Sequence, residues 1–191
     1  MRQNSFSDSQ TIHSVNWDVI VVGAGAAGLM SCLELPSHLN VLLLNRNQGR
    51  RSSSRWAQGG MAAVIRPEDS LDSHVEDTML AGAGLCDRES VQMFVKNAPK
   101  SVKRLQQLGM EFDREFGMIS TTLEAAHSHR RVLHVKDRTG RALIDVLMER
   151  VDQSTNIFHK RGVRVSKLWV QTNQCCGVQV LDGSNLYSIP S

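Results

Sequence analysis

Val19-Ile20-Val21-Val22-Gly23-Ala24-Gly25-Ala26-Ala27-Gly28 is the stretch whose reading decides the fold. An unbroken apolar run of this length, bounded at once by glycine, reads as a strand buried on both faces. That is the usual state of a central strand in a parallel sheet. The glycines then fit G-x-G-x-x-G. Gly23 would turn the chain off the strand. Gly25, without a Cβ, would let a pyrophosphate lie against the backbone. Gly28 would let the following helix pack on its strand. That helix, Ala26 to Leu35, stops at Pro36 and points its N-terminal dipole at the same place. A second apolar strand, Val41 to Leu44, closes a βαβ unit of about 30 residues. Such a unit points to a Rossmann-like α/β domain that binds a dinucleotide. The plainer reading is an ordinary strand-turn-helix.

The same fingerprint expects an acid at the end of the second strand, where it would bind a ribose hydroxyl. Asn45 stands there. An amide still hydrogen-bonds a hydroxyl but lacks the charge-assisted bond of a carboxylate. Arg46, next in line, suits a phosphate.

Composition narrows the class. The chain's 191 residues suggest one domain or slightly more. Its apolar share of 41% and charged share of 21% are those of a globular protein. A net charge of +3, with arginines in short pairs, argues against nucleic acid. Cys32, Cys86, Cys175 and Cys176 form no C-x-x-C pair, so free thiols in a reducing, cytoplasmic compartment are the simplest reading. No apolar run approaches the roughly 20 residues of a membrane span. Residues 1–16 are polar, lack a signal core and read as a disordered tail, with a single domain over residues 17–191.

Further along, Ser52 to Ser54 lead into Arg55-Trp56-Ala57-Gln58-Gly59-Gly60 and a short strand, Met61 to Ile65. Either this is a hinged surface loop, or it wraps a cofactor with backbone and hydroxyl contacts. Ser70 to Ala83 is helical in pattern, with Leu71, Val75, Met79 and Leu80 as its apolar stripe. Asp87 is the N-cap of a helix over Arg88 to Asn97. Pro99 predicts a break and a fresh helix that ends at Gly109. His74 reads as structural or solvated. Thr139 would cap an apolar helix from Arg141 to Val151. Asn156 to His159, Val163 to Gln171, Cys176 to Leu181 and Leu186 to Ile189 read as strands in a meander-like succession.

Between these lies Thr122-Leu123-Glu124-Ala125-Ala126-His127-Ser128-His129-Arg130-Arg131-Val132-Leu133-His134. His127 and His129 would face one side if this were strand, as metal ligands do, but no Cys or Asp nearby completes such a set. Arg130 and Arg131 suit carboxylates or phosphates. A polar surface hairpin is the alternative.

Several of these stretches resemble the N-terminal part of the L-aspartate oxidases, in the flavoprotein family that includes succinate dehydrogenase and fumarate reductase. They are Val21 to Leu29, Ala57 to Gly60, Asp72 to Thr78, Ala81 to Asp87, His127 to His134 and Thr139 to Arg141. The first two are shared across the flavoproteins. The Asp72–Asp87 and His127–His134 stretches are particular to the oxidases.

The resemblance implies FAD. Its pyrophosphate would be held by Gly23, Ala24, Gly25, Ala26, Ala27 and Gly28. Asn45 and Arg46 would lie by the adenosine ribose, and Val165 near the adenine. Ser53, Ser54, Arg55, Trp56, Ala57, Gln58, Gly59 and Gly60 would run beside the flavin. Ser53 matches the histidine that carries covalent flavin in succinate dehydrogenases, so FAD would be non-covalent. The implied reaction is oxidation of L-aspartate to iminoaspartate, first in the quinolinate route to NAD, with a quinolinate synthase as pathway partner. It removes a hydride from Cα, for which the flavin is the electron sink. Glu124 would meet the substrate's ammonium. His127, His129, Arg130 and Arg131 would at most shape the pocket. The family's capping domain, second glycine-rich strand and catalytic arginine lie beyond Ser191, so the chain reads as an N-terminal portion, incomplete relative to the family and inactive alone. A fumarate reductase or succinate dehydrogenase-type flavoprotein and a non-catalytic FAD-binding fold are the other readings.

Overall fold

A computed structural model describes residue 12 and residues 15–47 and 52–191. Most of the predicted tail, and Arg50 and Arg51 of the loop after the second strand, lie outside the described residues. The chain divides into two compact units: residues 1–52 with 147–191, and residues 53–146.

The first unit is built on β1 (Val19–Val22), α1 (Ala26–Glu34) and β2 (Val41–Asn45). The two strands are parallel, with Val19 opposite Val41 and Val22 opposite Leu44. Helix α1 stops at Glu34, where Leu35 turns extended ahead of Pro36. On the far side of β2, β8 (Ile157–Arg161) pairs in parallel, Val41 against Ile157, so the order is β1-β2-β8. This corrects the reading of β1 as a central strand. The central one is β2, whose Val41, Leu42, Leu43 and Leu44 are at most 1% exposed. No strand pairs with the other edge of β1 among the described residues, and Val22 is 54% exposed. An apolar run states that both faces are apolar; it does not state how many neighbours the strand has.

The antiparallel sheet of the same unit is a meander of β9 (Arg164–Gln171), β10 (Gln174–Asp182) and β11 (Asn185–Pro190), close to the predicted spans. Leu42 and Leu44 of β2 share a core with Val163, Val178, Val180 and Ile189. Trp17 closes that core, edge-on to Phe158 at 4.9 Å, its indole N–H donating to the Ile12 carbonyl at 3.0 Å. Ile12 is buried there too.

In the second unit, α2 (Ser53–Trp56) precedes a small antiparallel sheet of β3 (Met61–Ala62), β7 (Val132–Leu133) and β6 (Thr121–Thr122). Between them run α3 (Leu71–Ala81), α4 (Arg88–Leu108) and a hairpin of β4 (Arg114–Glu115) and β5 (Met118–Ile119). Ser70 caps α3 by accepting from the Ser73 amide, and Asp87 caps α4 by accepting from Ser90. Val75 and Met79 pack on Val91 and Val95, but Leu71 and Leu80 of the predicted stripe face outward.

The predicted break at Pro99 does not occur: α4 runs through it to Gly109, which closes the helix in the left-handed region. Proline removes only the bond to the Val95 carbonyl. The buried stripe of Val91, Val95, Val102, Leu105 and Leu108 continues on one face across it. Tertiary burial of that stripe outweighs the local cost. Finally α5 (Thr139–Gln153) starts two residues earlier than expected. Thr139 accepts from the Val135 amide rather than capping from outside.

Candidate functional site

The glycine turn of the first unit has the shape its spacing requires. The Gly23 amide donates to the Leu44 carbonyl at 2.8 Å, which ties the turn to the end of β2. Gly23 has φ +108, closed to side chains, with open space where a Cβ would point. Gly25 caps α1 in extended backbone and supplies no side-chain acceptor, and the first turn of α1 holds no acid. A Cβ on Gly28 would fall 1.9 Å from the Gly23 carbonyl oxygen. Only glycine lets α1 cross its own turn so closely. An uncovered turn at a helix N-terminus free of carboxylates is suited to a diphosphate. Ala24 is buried beneath it, Ala26 is half-buried and Ala27 is exposed.

At the end of β2, the Asn45 amide donates to the Asn47 carbonyl at 3.0 Å, and its backbone oxygen accepts from Val163. Arg46 is exposed. Val165, on β9, pairs with Val180 and packs against the core.

In the second unit Ser53, Trp56, Ala57, Gln58 and Gly59 are exposed, and Ser54 and Arg55 half-buried. Arg55 forms an ion pair with Asp145 of α5, so its guanidinium is engaged inside the unit. A Cβ on Gly140 would lie 2.1 Å from the Ser54 carbonyl oxygen, and the Gly140 amide donates to Ala57 at 3.0 Å. This glycine seats the Ser53–Ala57 turn on the start of α5, a role its spacing did not disclose. Gly60 likewise lies where a Cβ would meet the Leu133 carbonyl at 2.4 Å, whereas Gly59 is open.

In the His127–His134 stretch, residues 127–131 are irregular and only Val132–Leu133 form strand, as β7. Arg131 is fully buried. It grips Asp69 with two bonds, 2.8 and 2.7 Å, and Asp77 with one of 2.6 Å. Burial opposes ionisation of Asp69, but bonds from Arg131 and the Ser70 amide outweigh it and hold the carboxyl below its usual range. Asp77 also works against burial and is pulled down to about 2 by Ser128 and Arg131. The predicted anion binder therefore meets the protein's own carboxylates. Arg130 donates to the Thr121 carbonyl. His129 lies by Ser73, Ser128 and Asp69, and His127 rests edge-on to His74 at 5.5 Å. His74 is buried, and that burial, with Arg131 and His127 nearby, lowers its proton affinity. Sequence reading missed the two aspartates because they lie 62 and 54 positions from Arg131.

Glu124 lies just past β6 and lines a pocket of about 430 Å³ with Asp113, Ser120, Thr122, His134 and Lys136. Its carboxylate is 3.2 Å from His134 Nε2. No group of three or more His, Cys, Asp or Glu among the described residues is arranged to hold a metal.

A family profile described as FAD binding domain matches residues 18–189. The chain belongs to the FAD binding domain family. The match includes the glycine turn at residues 23–28, and FAD is the cofactor. Among curated relatives, the L-aspartate oxidase of Synechocystis is 47% identical over 166 residues, which is 86% of this chain and 30% of that one. The L-aspartate oxidase of Nostoc is 44% identical over 90% of this chain and 30% of its own length. The chain thus spans about a third of the relatives it matches. Of solved structures, the Mycobacterium smegmatis Sdh1 complex aligns at TM-score 0.83 and 27% identity, over 92% of this chain and 33% of that one. The quinol fumarate reductase of E. coli aligns at 0.86 and 25%, over 91% and 31%. The mixed α/β fold with its parallel sheet is shared with these solved structures. No helix among the described residues is long and apolar enough to cross a membrane.

Proposed function

We propose that this sequence is the FAD-binding, N-terminal part of an L-aspartate oxidase acting in the cytoplasm, which converts L-aspartate to iminoaspartate on the way to NAD. The observation that carries the reading is the 47% identity to an enzyme of that name across most of the chain. The stretches particular to the oxidases also meet in one buried cluster, Asp77 and Arg131 at 2.6 Å. The cofactor, when bound, accepts the electrons. Gly23 to Gly28 give its diphosphate a bare backbone and a helix N-terminus, with Asn45, Arg46 and Val165 toward the adenosine end. The resemblance gives Ser53 to Gly60 the flavin end, and within their own unit Ser53 and residues 56–59 are exposed. Glu124 presents a carboxylate to the substrate's ammonium and thereby separates an amino acid from succinate.

The test is Glu124→Gln in a full-length enzyme carrying this sequence. Preference for aspartate over succinate should fall at least tenfold, the worth of one charged hydrogen bond. An unchanged preference removes Glu124 from the role.

A second reading, a reductase acting on fumarate or succinate, is favoured by the alignment with quinol fumarate reductase. Ser53, a hydroxyl without a nucleophilic ring nitrogen, opposes its covalent-flavin form. Acid precipitation of the holoenzyme should leave all flavin in the supernatant; flavin in the pellet would support that second reading.

A further inference from the structure

We infer that His134 is the positioning residue for the Glu124 carboxylate, an inference that rests on the reading of Glu124 as the ammonium contact. Glu124 needs such a partner. It lies two residues beyond the end of β6, outside the ladder, on a stretch that turns at once: the His127 amide donates back to the Glu124 carbonyl and Ala126 has φ +69. Its side chain is 45% exposed and carries three rotatable bonds. Nothing in the local backbone aims it.

His134, by contrast, is held from several sides. It follows β7 directly, and β7 pairs with both β3 and β6. Its carbonyl accepts from the Asp113 amide at 2.9 Å. Its Cε1 occupies the space a Cβ on Gly60 would take, 2.8 Å from that position. The imidazole therefore packs on the bare backbone of Gly60, and a larger residue there would push the ring out. Only 18% of the side chain is exposed.

The ring presents Nε2 to two oxygens, the Thr122 hydroxyl at 2.5 Å and the Glu124 carboxylate at 3.2 Å. The Thr122 hydroxyl has an acceptor of its own, the Val132 carbonyl at 3.5 Å, and so is free to accept from the ring. A carboxylate only accepts. With Nε2 protonated the ring donates to the Thr122 hydroxyl, and the same edge of the ring stands 3.2 Å from the Glu124 carboxylate as a polar contact without hydrogen-bond alignment. The His134 ring thus fixes one carboxylate oxygen of Glu124, Oε1, and leaves Oε2 for an ammonium. Asp113 and Lys136 are the other charged groups of this pocket.

The experiment uses a full-length enzyme carrying this sequence, loaded with FAD, with three variants: His134→Leu, His134→Gln and Glu124→Gln. Leucine removes the donor; glutamine restores an N–H at about the position of Nε2. KM and kcat are measured for L-aspartate, and inhibition constants for succinate, which has no ammonium. His134→Leu should raise KM for aspartate roughly tenfold or more. It should change succinate inhibition less than twofold, and His134→Gln should recover most of the loss. In the parent enzyme the ¹⁵N shifts of the His134 ring should report a protonated Nε2. That measurement, with His134→Gln, decides the matter if His134→Leu does not fold. An aspartate KM within twofold of the parent, an equal loss for aspartate and succinate, or an unprotonated Nε2 overturns the role of His134. If Glu124→Gln leaves the aspartate preference intact, the Glu124 reading fails and this one with it. If Glu124→Gln lowers the preference and His134→Leu does not, only His134 is excluded.

Discussion

Gly28 shows how much a single missing atom decides. Its Cβ would sit 1.9 Å from the Gly23 carbonyl oxygen and 3.5 Å from the Val21 side chain. The obstacle is backbone on a turn, which cannot rotate away as a side chain can. Gly28→Ala should therefore destabilise the first unit by about 2–3 kcal/mol, the range of overpacking in a tight site. It should also lose FAD, because the amides proposed to hold the diphosphate are moved. Thermal melts with and without added FAD check this; retention of FAD at parental affinity would show that the turn tolerates the extra carbon. Gly23 differs, since its need is conformational, φ +108 with open space around it. The steric tasks of both glycines were legible from G-x-G-x-x-G and one preceding strand. The use of Gly140 and Gly60 was not, because each answers to backbone far away in sequence, Ser54 and Leu133.

At the level of elements, the Arg131 cluster ties the start of β7 to α3 and the turn before it. Asp69 is at the entry of α3, Asp77 within it, and both meet one guanidinium with no solvent exposure. Removing that guanidinium strands a buried carboxylate. Arg131→Leu should cost about 3–5 kcal/mol, and Arg131→Lys should recover little, since an ammonium cannot make the paired bonds to Asp69. Denaturant midpoints measure both; a loss below 1 kcal/mol for the leucine variant would mean that the cluster is not a strut. Pro99 teaches the converse at this scale. A break read from one residue gave way to a stripe of five buried positions on a 21-residue helix. The cap at Asp87 was legible because a cap is settled within four residues. The exposure of Leu71 and Leu80 was not, because it depends on which side of α3 receives α4.

Across the whole molecule, acid should act on each unit through its own buried groups. In the first, His159 is pushed down to about 4, chiefly by burial, with Arg161 adding to it and Asp152 opposing. Its ordinary value is 6.5. Between these values the unfolded chain binds a proton that the folded one refuses. Stability therefore falls as pH drops from about 6.5 and levels off near 4. In the second unit, Asp77 has an ordinary value of 3.8 and a folded value of about 2. Its contribution is complete above 3.8 and is lost as pH falls through 2. Urea midpoints from pH 8 to pH 2 should show both declines. His159→Leu should shrink the upper one, leaving the share of buried His74, whose proton affinity is also lowered, and should spare the lower. An upper decline undiminished by this substitution would assign it to other groups.

Within the amino-acid order alone lay everything governed by neighbours a few positions apart: the glycine turn, the βαβ unit, the cap at Asp87 and the last three strands of the chain. Backbone sterics and side-chain periodicity act over one or two turns of chain, so a linear reading captures them. Tertiary structure alone decided that β2 rather than β1 is the central strand, that Arg131 belongs to Asp69 and Asp77, and that His134 faces Glu124. The first two depend on the return of chain from as far as β8 to β2 and on partners 54 to 62 residues apart, and the third on the irregular path between β6 and β7. A charge or an apolar face declares what kind of neighbour it requires, but only the folded path of the chain supplies the neighbour.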